Sequence, residues 1–220
     1  MPDVIFNGPE GRLEGRYQHG AEAGAPLALV LHPHPLYGGT MNNKIVYNMF
    51  HVFAKQGFSV LRFNFRGVGR SQGTYDHGQG ELSDAASALD WMQSYNVNAS
   101  QVWIAGFSFG AWIAMQLLMR RPEIARFVAI SPPASLFDFA FLAPCPSSGL
   151  ILQCTEDELV QETEVAKLAA RLANQRDIKI DYRKIAGATH FYDGKLDELS
   201  GHVDHYVKAS MADGANVAAD

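Results

Sequence analysis

Cysteine is scarce: Cys145 and Cys154 are the two in 220 residues, too few for a disulfide framework, and they read as reduced, largely buried thiols. Positive charge is not in excess either. Lysine and arginine number 18 against 23 aspartates and glutamates, a net charge of -5 with a pI near 5.9. With no basic patch, neither nucleic acid nor an anionic membrane surface is expected as a partner. Nowhere do 18 uncharged apolar residues run together, and the first residues lack a basic segment leading into a long apolar one. The expectation is a soluble, cytoplasmic protein. Internal repeats and low-complexity segments are absent as well.

What is present is an ordinary globular composition, 47% hydrophobic and 19% charged. A chain of this length can bury one core, so residues 1–220 are expected to form one domain, with 213–220 a frayed tail. Residues 3 to 7 and 11 to 18 read as an exposed antiparallel strand pair, Leu13, Gly15 and Tyr17 alternating with Arg12, Glu14 and Arg16. From Leu27 the pattern changes: Leu27 to Leu31 is a continuous apolar run of strand length, and Phe58 to Phe65, Val102 to Ala105, Phe127 to Ile130 and Gly149 to Cys154 read as further strands. An edge-type alternation, Ile178, Ile180 and Tyr182, follows. Between them lie stripes at helical spacing, such as Ile45, Val46, Met49, Phe50 and Phe53, or Val165, Leu168, Ala169 and Leu172, and a last helix carries Leu196, Leu199, Val203, Tyr206, Val207 and Met211. Strands alternating with helices imply an α/β fold: a mostly parallel sheet of about eight strands with helices on both faces. In such sheets ligands bind beyond the carboxyl ends of the strands. The loops 32 to 39, 106 to 110, 155 to 160 and 187 to 192 all follow strands and so share that edge.

The stretch that organises the rest is Gly106-Phe107-Ser108-Phe109-Gly110, set between a strand-like run and an apolar helix-like run from Ala111 to Met119. A serine on so sharp a turn is exposed at the sheet's tip, and the glycines on either side allow strand and helix to approach. The glycine-rich loop Arg66 to Gly73 invites a dinucleotide-binding reading, but the third glycine position holds Gln72 and no helix opens directly after it, so no cofactor is expected. His32 and His34 lack a third ligand at metal spacing, and no metal is expected.

A serine hydroxyl attacks at neutral pH when a base accepts its proton. Of eight histidines, His190 is the one in a short loop after the last strand. The imidazolium needs an anion behind it, and the loop Glu156-Asp157-Glu158 ends the preceding strand. An oxyanion needs two converging N–H donors. Phe109 offers one. The loop His32 to Gly39 should offer the other, and since Pro33 and Pro35 carry no N–H, His34 comes first and Leu36 or Tyr37 next.

These pieces together resemble the serine α/β-hydrolases over nearly the whole chain, and within them the compact dienelactone-hydrolase-like group of small bacterial esterase-like proteins. The resemblance rests on Leu31 to Pro35 through Gly39 with Met41-Asn42-Asn43, on Phe63 to Ser71, on Gly106 to Gly110, on Asp157-Glu158-Leu159-Val160 and on Gly187 to Phe191. It implies an α/β-hydrolase fold, singles out Asp157 as the acid and His34 as the second oxyanion donor, and matches the chain order Ser108, Asp157, His190. Two departures stand out: Cys154-Thr155 replaces the usual Gly-Asp before the acid, and serine stands where true dienelactone hydrolases have cysteine, so their lactone substrate is not implied.

The resulting expectation is a cofactor-independent hydrolase acting on a small ester or thioester through an acyl group on Ser108. A peptidase on short peptides and a non-catalytic binder on a hydrolase scaffold are the alternatives. The segment Pro132 to Pro146 is too short for a cap domain, leaving an open cleft expected to be walled by Tyr37, Phe137, Phe139 and Phe141. Oligomeric state stays open, a homodimer included.

Overall fold

A computed structural model describes residues 2–217, with side chains described as far as Asp213. Its eight strands are β1 (Asp3–Gly8), β2 (Gly11–Gln18), β3 (Leu27–Leu31), β4 (Ser59–Phe63), β5 (Val102–Phe107), β6 (Ile124–Ile130), β7 (Ser148–Cys154) and β8 (Ile180–Ile185). They form one sheet in the order β1-β2-β4-β3-β5-β6-β7-β8. The β1–β2 and β2–β4 pairs are antiparallel and all others parallel. This is the architecture that the resemblance implies, with no cap domain inserted.

The helices are α1 (Lys44–Lys55), α2 (Gln79–Tyr95), α3 (Phe109–Leu118), α4 (Glu162–Ala173) and α5 (Leu196–Val217). Every residue of β3 is buried, because the strand is covered on both faces. Leu27, Leu29 and Leu31 join the core under α2, α3 and α4, while Ala28 and Val30 join the core under α1 and α5. A polar residue at any of these five positions would lose its water without gaining a partner, which is why the run is uninterrupted. Trp103, Phe53 and Phe58 pack edge to face at 5.1 to 6.0 Å beneath α1, each fully buried ring stabilising the fold by roughly 1.5–3 kcal/mol.

Several boundaries differ from the sequence reading. Strand β6 starts at Ile124, three residues earlier, since Arg126 interrupts the apolar run without interrupting the ladder. Strand β8 starts at Ile180 rather than Ile178 and continues past Arg183 through Lys184 to Ile185, as a half-buried edge strand tolerates charge. The stretch expected to be frayed is helical as far as Val217, and its remainder, 218–220, lies outside the described residues.

The glycine-rich loop after β4 is filled by the protein's own side chains. Arg66 donates from Nε and Nη2 to Asp84 of α2 at 3.0 and 2.8 Å, and buried Glu14 accepts from Asn64, from the Arg70 backbone and from Arg70 Nε at 2.7 Å each. Burial pushes the Glu14 carboxyl up, but these donors outweigh it and hold the pKa below the ordinary value. The loop thus ties the β2–β4 side of the sheet to α2.

Candidate active site

Strand β5 runs straight into α3 through Ser108, whose backbone sits at φ 53° and ψ −121°, a conformation that costs a non-glycine residue on the order of 1–3 kcal/mol. The packing around the turn holds it there. A Cβ on Gly106 would strike the carbonyl of Gly110, and one on Gly110 would strike the carbonyls of Leu31 and His32, so only glycine lets strand and helix close on each other. Ser108 N–H is anchored to Ile130 O at 2.8 Å. Helix α3 begins at Phe109, two residues before the point read from the sequence, so that Phe109 N–H is one of the unsatisfied donors at a helix start.

Ser108 Oγ lies 3.2 Å from His190 Nε2, and His190 Nδ1 lies 2.8 and 3.0 Å from the two carboxylate oxygens of Asp157. The His190 and Asp157 side chains are 3% and 0% exposed. The neighbours of Asp157 fix its orientation. Leu159 N–H and Val160 N–H donate to Oδ1 at 2.9 and 2.7 Å; Gln153 Nε2 and Cys154 Sγ donate to Oδ2 at 3.0 and 3.1 Å. Burial works to raise the Asp157 pKa, and the hydrogen bond and charge of His190, with the Val160 N–H and the Cys154 thiol, outweigh it and hold the carboxyl below its ordinary value. The Cys154 thiol is itself pushed up to about 12, by burial and by Asp157, and stays protonated as a donor.

Of the three candidate N–H groups in the His32 to Gly39 loop, two are engaged. Leu36 N–H donates to His34 Nδ1 at 3.2 Å and Tyr37 N–H to His34 O at 3.1 Å, across a single 3₁₀ turn at Pro35–Tyr37. Neither His34 N–H nor Phe109 N–H meets a protein acceptor among the described residues. Their rings pack at 4.9 Å, and both residues line one cavity with Ser108 and His190.

His32 takes no part in a metal pair. Its Nδ1–H donates to Pro33 O at 2.6 Å and its Nε2 accepts from Phe65 N–H at 3.1 Å, which uses both ring nitrogens and fixes a neutral tautomer. Among the described residues no group of three or more His, Cys, Asp or Glu is placed to hold a metal ion. Burial lowers the His32 pKa from 6.5 to about 4. The unfolded chain therefore binds a proton that the folded one refuses, and stability is lost as pH falls from about 6.5 toward 4. Urea midpoints measured across this range should fall on acidification for the natural protein, with a shallower slope for His32→Asn; an unchanged slope would contradict it.

The cavity is about 490 Å³ in volume, and Tyr37, Phe109, Leu136, Phe137, Leu159 and Phe191 are the larger apolar side chains around it. The expected aromatic wall is half right. Tyr37 and Phe137 line the cavity; Phe139 and Phe141 do not, Phe139 being buried and stacked on Phe141 at 5.9 Å. Leu136, Leu159 and Phe191 stand there in their place, together with Glu158. The sequence reading also missed the donors behind Asp157, although Gln153 left a signal as the polar residue in the apolar run Leu150 to Cys154. Among the described residues no helix is long and apolar enough to cross a membrane.

The profile of the X-Pro dipeptidyl-peptidase (S15) family matches residues 18–213. A crystal structure of a protein of unknown function from Agrobacterium tumefaciens, described as an α/β-hydrolase candidate, is 57% identical and superposes with a TM-score of 0.94 over 96% of this chain and 97% of its own. A lid-less α/β serine hydrolase from Xanthomonas campestris is 30% identical, with a TM-score of 0.85 over 94% of each chain. The bovine lysophosphatidylserine lipase ABHD12 is 26% identical across 93% of this chain, which spans 56% of the lipase's length. With a family profile covering most of its length and a Ser-His-Asp row at the head of its sheet, the chain belongs to the S15 family within the serine α/β-hydrolases.

Proposed function

We propose that this protein hydrolyses carboxylic esters or thioesters, without a cofactor, through an acyl-enzyme on Ser108. The observation that carries the reading is the unbroken row Ser108–His190–Asp157 facing two N–H groups with no protein acceptor among the described residues. Ser108 Oγ bonds to the carbonyl carbon as His190 Nε2 takes its proton, and Asp157 holds the imidazolium through Nδ1–H. Phe109 and His34 N–H receive the negative oxygen. Collapse breaks the bond to the leaving oxygen or sulfur, which takes the proton from His190. Water, deprotonated by the same imidazole, then cleaves the acyl-enzyme and Ser108 regains its proton. A cavity of about 490 Å³ open on one side suits small or flat acyl groups.

A fluorophosphonate probe tests the assignment. Labelling should be stoichiometric in the natural protein and absent in Ser108→Ala; labelling that persists in the variant sinks it. A second reading, hydrolysis of short peptides, draws on the S15 match, and turnover of an aminoacyl-proline amide without turnover of any ester would select it. The headgroup of lysophosphatidylserine is not carried over from the animal lipase, because among the described residues no lysine or arginine lines the cavity to meet a phosphodiester.

A further inference from the structure

Glu158 is the one Asp, Glu, Lys or Arg side chain lining the cavity among the described residues. Its Oε2 accepts from the backbone N–H of His190 at 3.3 Å, so the carboxylate is tied to the loop that carries the proposed base. The next residue, Phe191, is partly exposed and presents its ring at 5.3 Å from the His190 imidazole, nearly perpendicular to it. Lys44, adjacent to the lining residue Asn43, is engaged by Asp193 and supplies no free counter-charge.

Position decides what these groups meet. The leaving oxygen must collect its proton from His190 Nε2, so the alcohol portion of a bound ester occupies the His190 side of the cavity. That side carries a carboxylate and an aromatic face, and no lysine or arginine lines the cavity among the described residues, the combination that attracts an alkylammonium group and repels an anion. Building on the hydrolase reading above, we infer that Glu158, with Phe191, makes the leaving-group side selective for esters whose alcohol carries an ammonium group and against those whose alcohol carries a phosphate or carboxylate.

Acetylcholine and 3,3-dimethylbutyl acetate share a shape and differ in charge, and their kcat/KM ratio isolates the effect. The cationic ester should be favoured about three- to tenfold at low salt, since the carboxylate is exposed and its attraction screened. The ratio should shrink on raising ionic strength from about 0.05 M to about 0.5 M. In Glu158→Gln, which keeps an oxygen for the His190 N–H, it should fall toward one. Equal rates for the two esters, or a preference that survives in Glu158→Gln, would overturn the inference, as would turnover of p-nitrophenyl acetate with no turnover of either alkyl ester. Inertness toward all three would instead overturn the hydrolase reading on which the inference rests.

Discussion

Ser108→Ala, His190→Ala and the double variant are each expected to lose the same factor in kcat on a small ester, about 10⁴- to 10⁶-fold, rather than losses that multiply. The geometry makes the two residues one device. With Ser108 gone, the imidazole 3.2 Å away has no hydroxyl to activate; with His190 gone, the hydroxyl stays protonated and a poor nucleophile. Removing the second partner therefore takes nothing further. The residual rate in all three should be similar, because the free N–H groups of His34 and Phe109 and the apolar cavity remain to polarise and hold the ester. KM should change little, since neither side chain is needed for ground-state binding. Single-turnover and steady-state rates on p-nitrophenyl acetate, with circular dichroism to verify folding, would measure this. Losses that multiply would mean that the two act separately and that the acyl-enzyme route is wrong.

Much of this arrangement is legible in the sequence because it rests on local rules. Continuous apolar runs such as Leu27 to Leu31 identify strands covered on both faces, and Gly106 and Gly110 identify a turn where backbones touch. Chain order then puts four loops on one edge, and the structure finds residues of all four around a single cavity. What the sequence hides is set by contacts between distant residues. That Leu36 and Tyr37 N–H are turned inward on His34 depends on a 3₁₀ turn of three residues, too short for any periodicity. Phe139 and Phe137 are alike by type and two positions apart, yet Phe139 is buried in the core while Phe137, stacked on Trp112 and edge-on to Phe109, lines the cavity, a difference made by their tertiary neighbours rather than by either residue. Glu158 reads as one charge in an acidic loop until its tie to the His190 backbone is seen.

The acid offers the sharpest case of such hidden dependence, and Asp157→Asn is expected to lower kcat by about 10⁴-fold with KM nearly unchanged. The amide is almost the same size, so the loss comes from proton positions. Asp157 offers two acceptors, one receiving Leu159 and Val160 N–H, the other Gln153 Nε2 and Cys154 Sγ, with His190 Nδ1 within 3.0 Å of both. An asparagine has one oxygen. Placed on the two backbone N–H groups, it leaves its NH₂ among three donors. Cys154 can turn its S–H toward Ser131, 3.8 Å away. Gln153 cannot turn, because its Nε2 also donates to Val160 O at 3.0 Å. The remaining relief is for His190 to present Nδ1 as an acceptor, which moves its proton to Nε2, pointing at Ser108. In that tautomer the imidazole cannot accept the serine proton. Leaving one of the two Gln153 Nε2 hydrogens unpaired also costs on the order of 1–3 kcal/mol of stability, so a lower urea midpoint should accompany the lost rate. ¹⁵N chemical shifts of His190 would report the exchange of tautomers directly. A variant that keeps its proton on Nδ1, or that loses less than about tenfold in kcat, would show that Asp157 is not what sets the base.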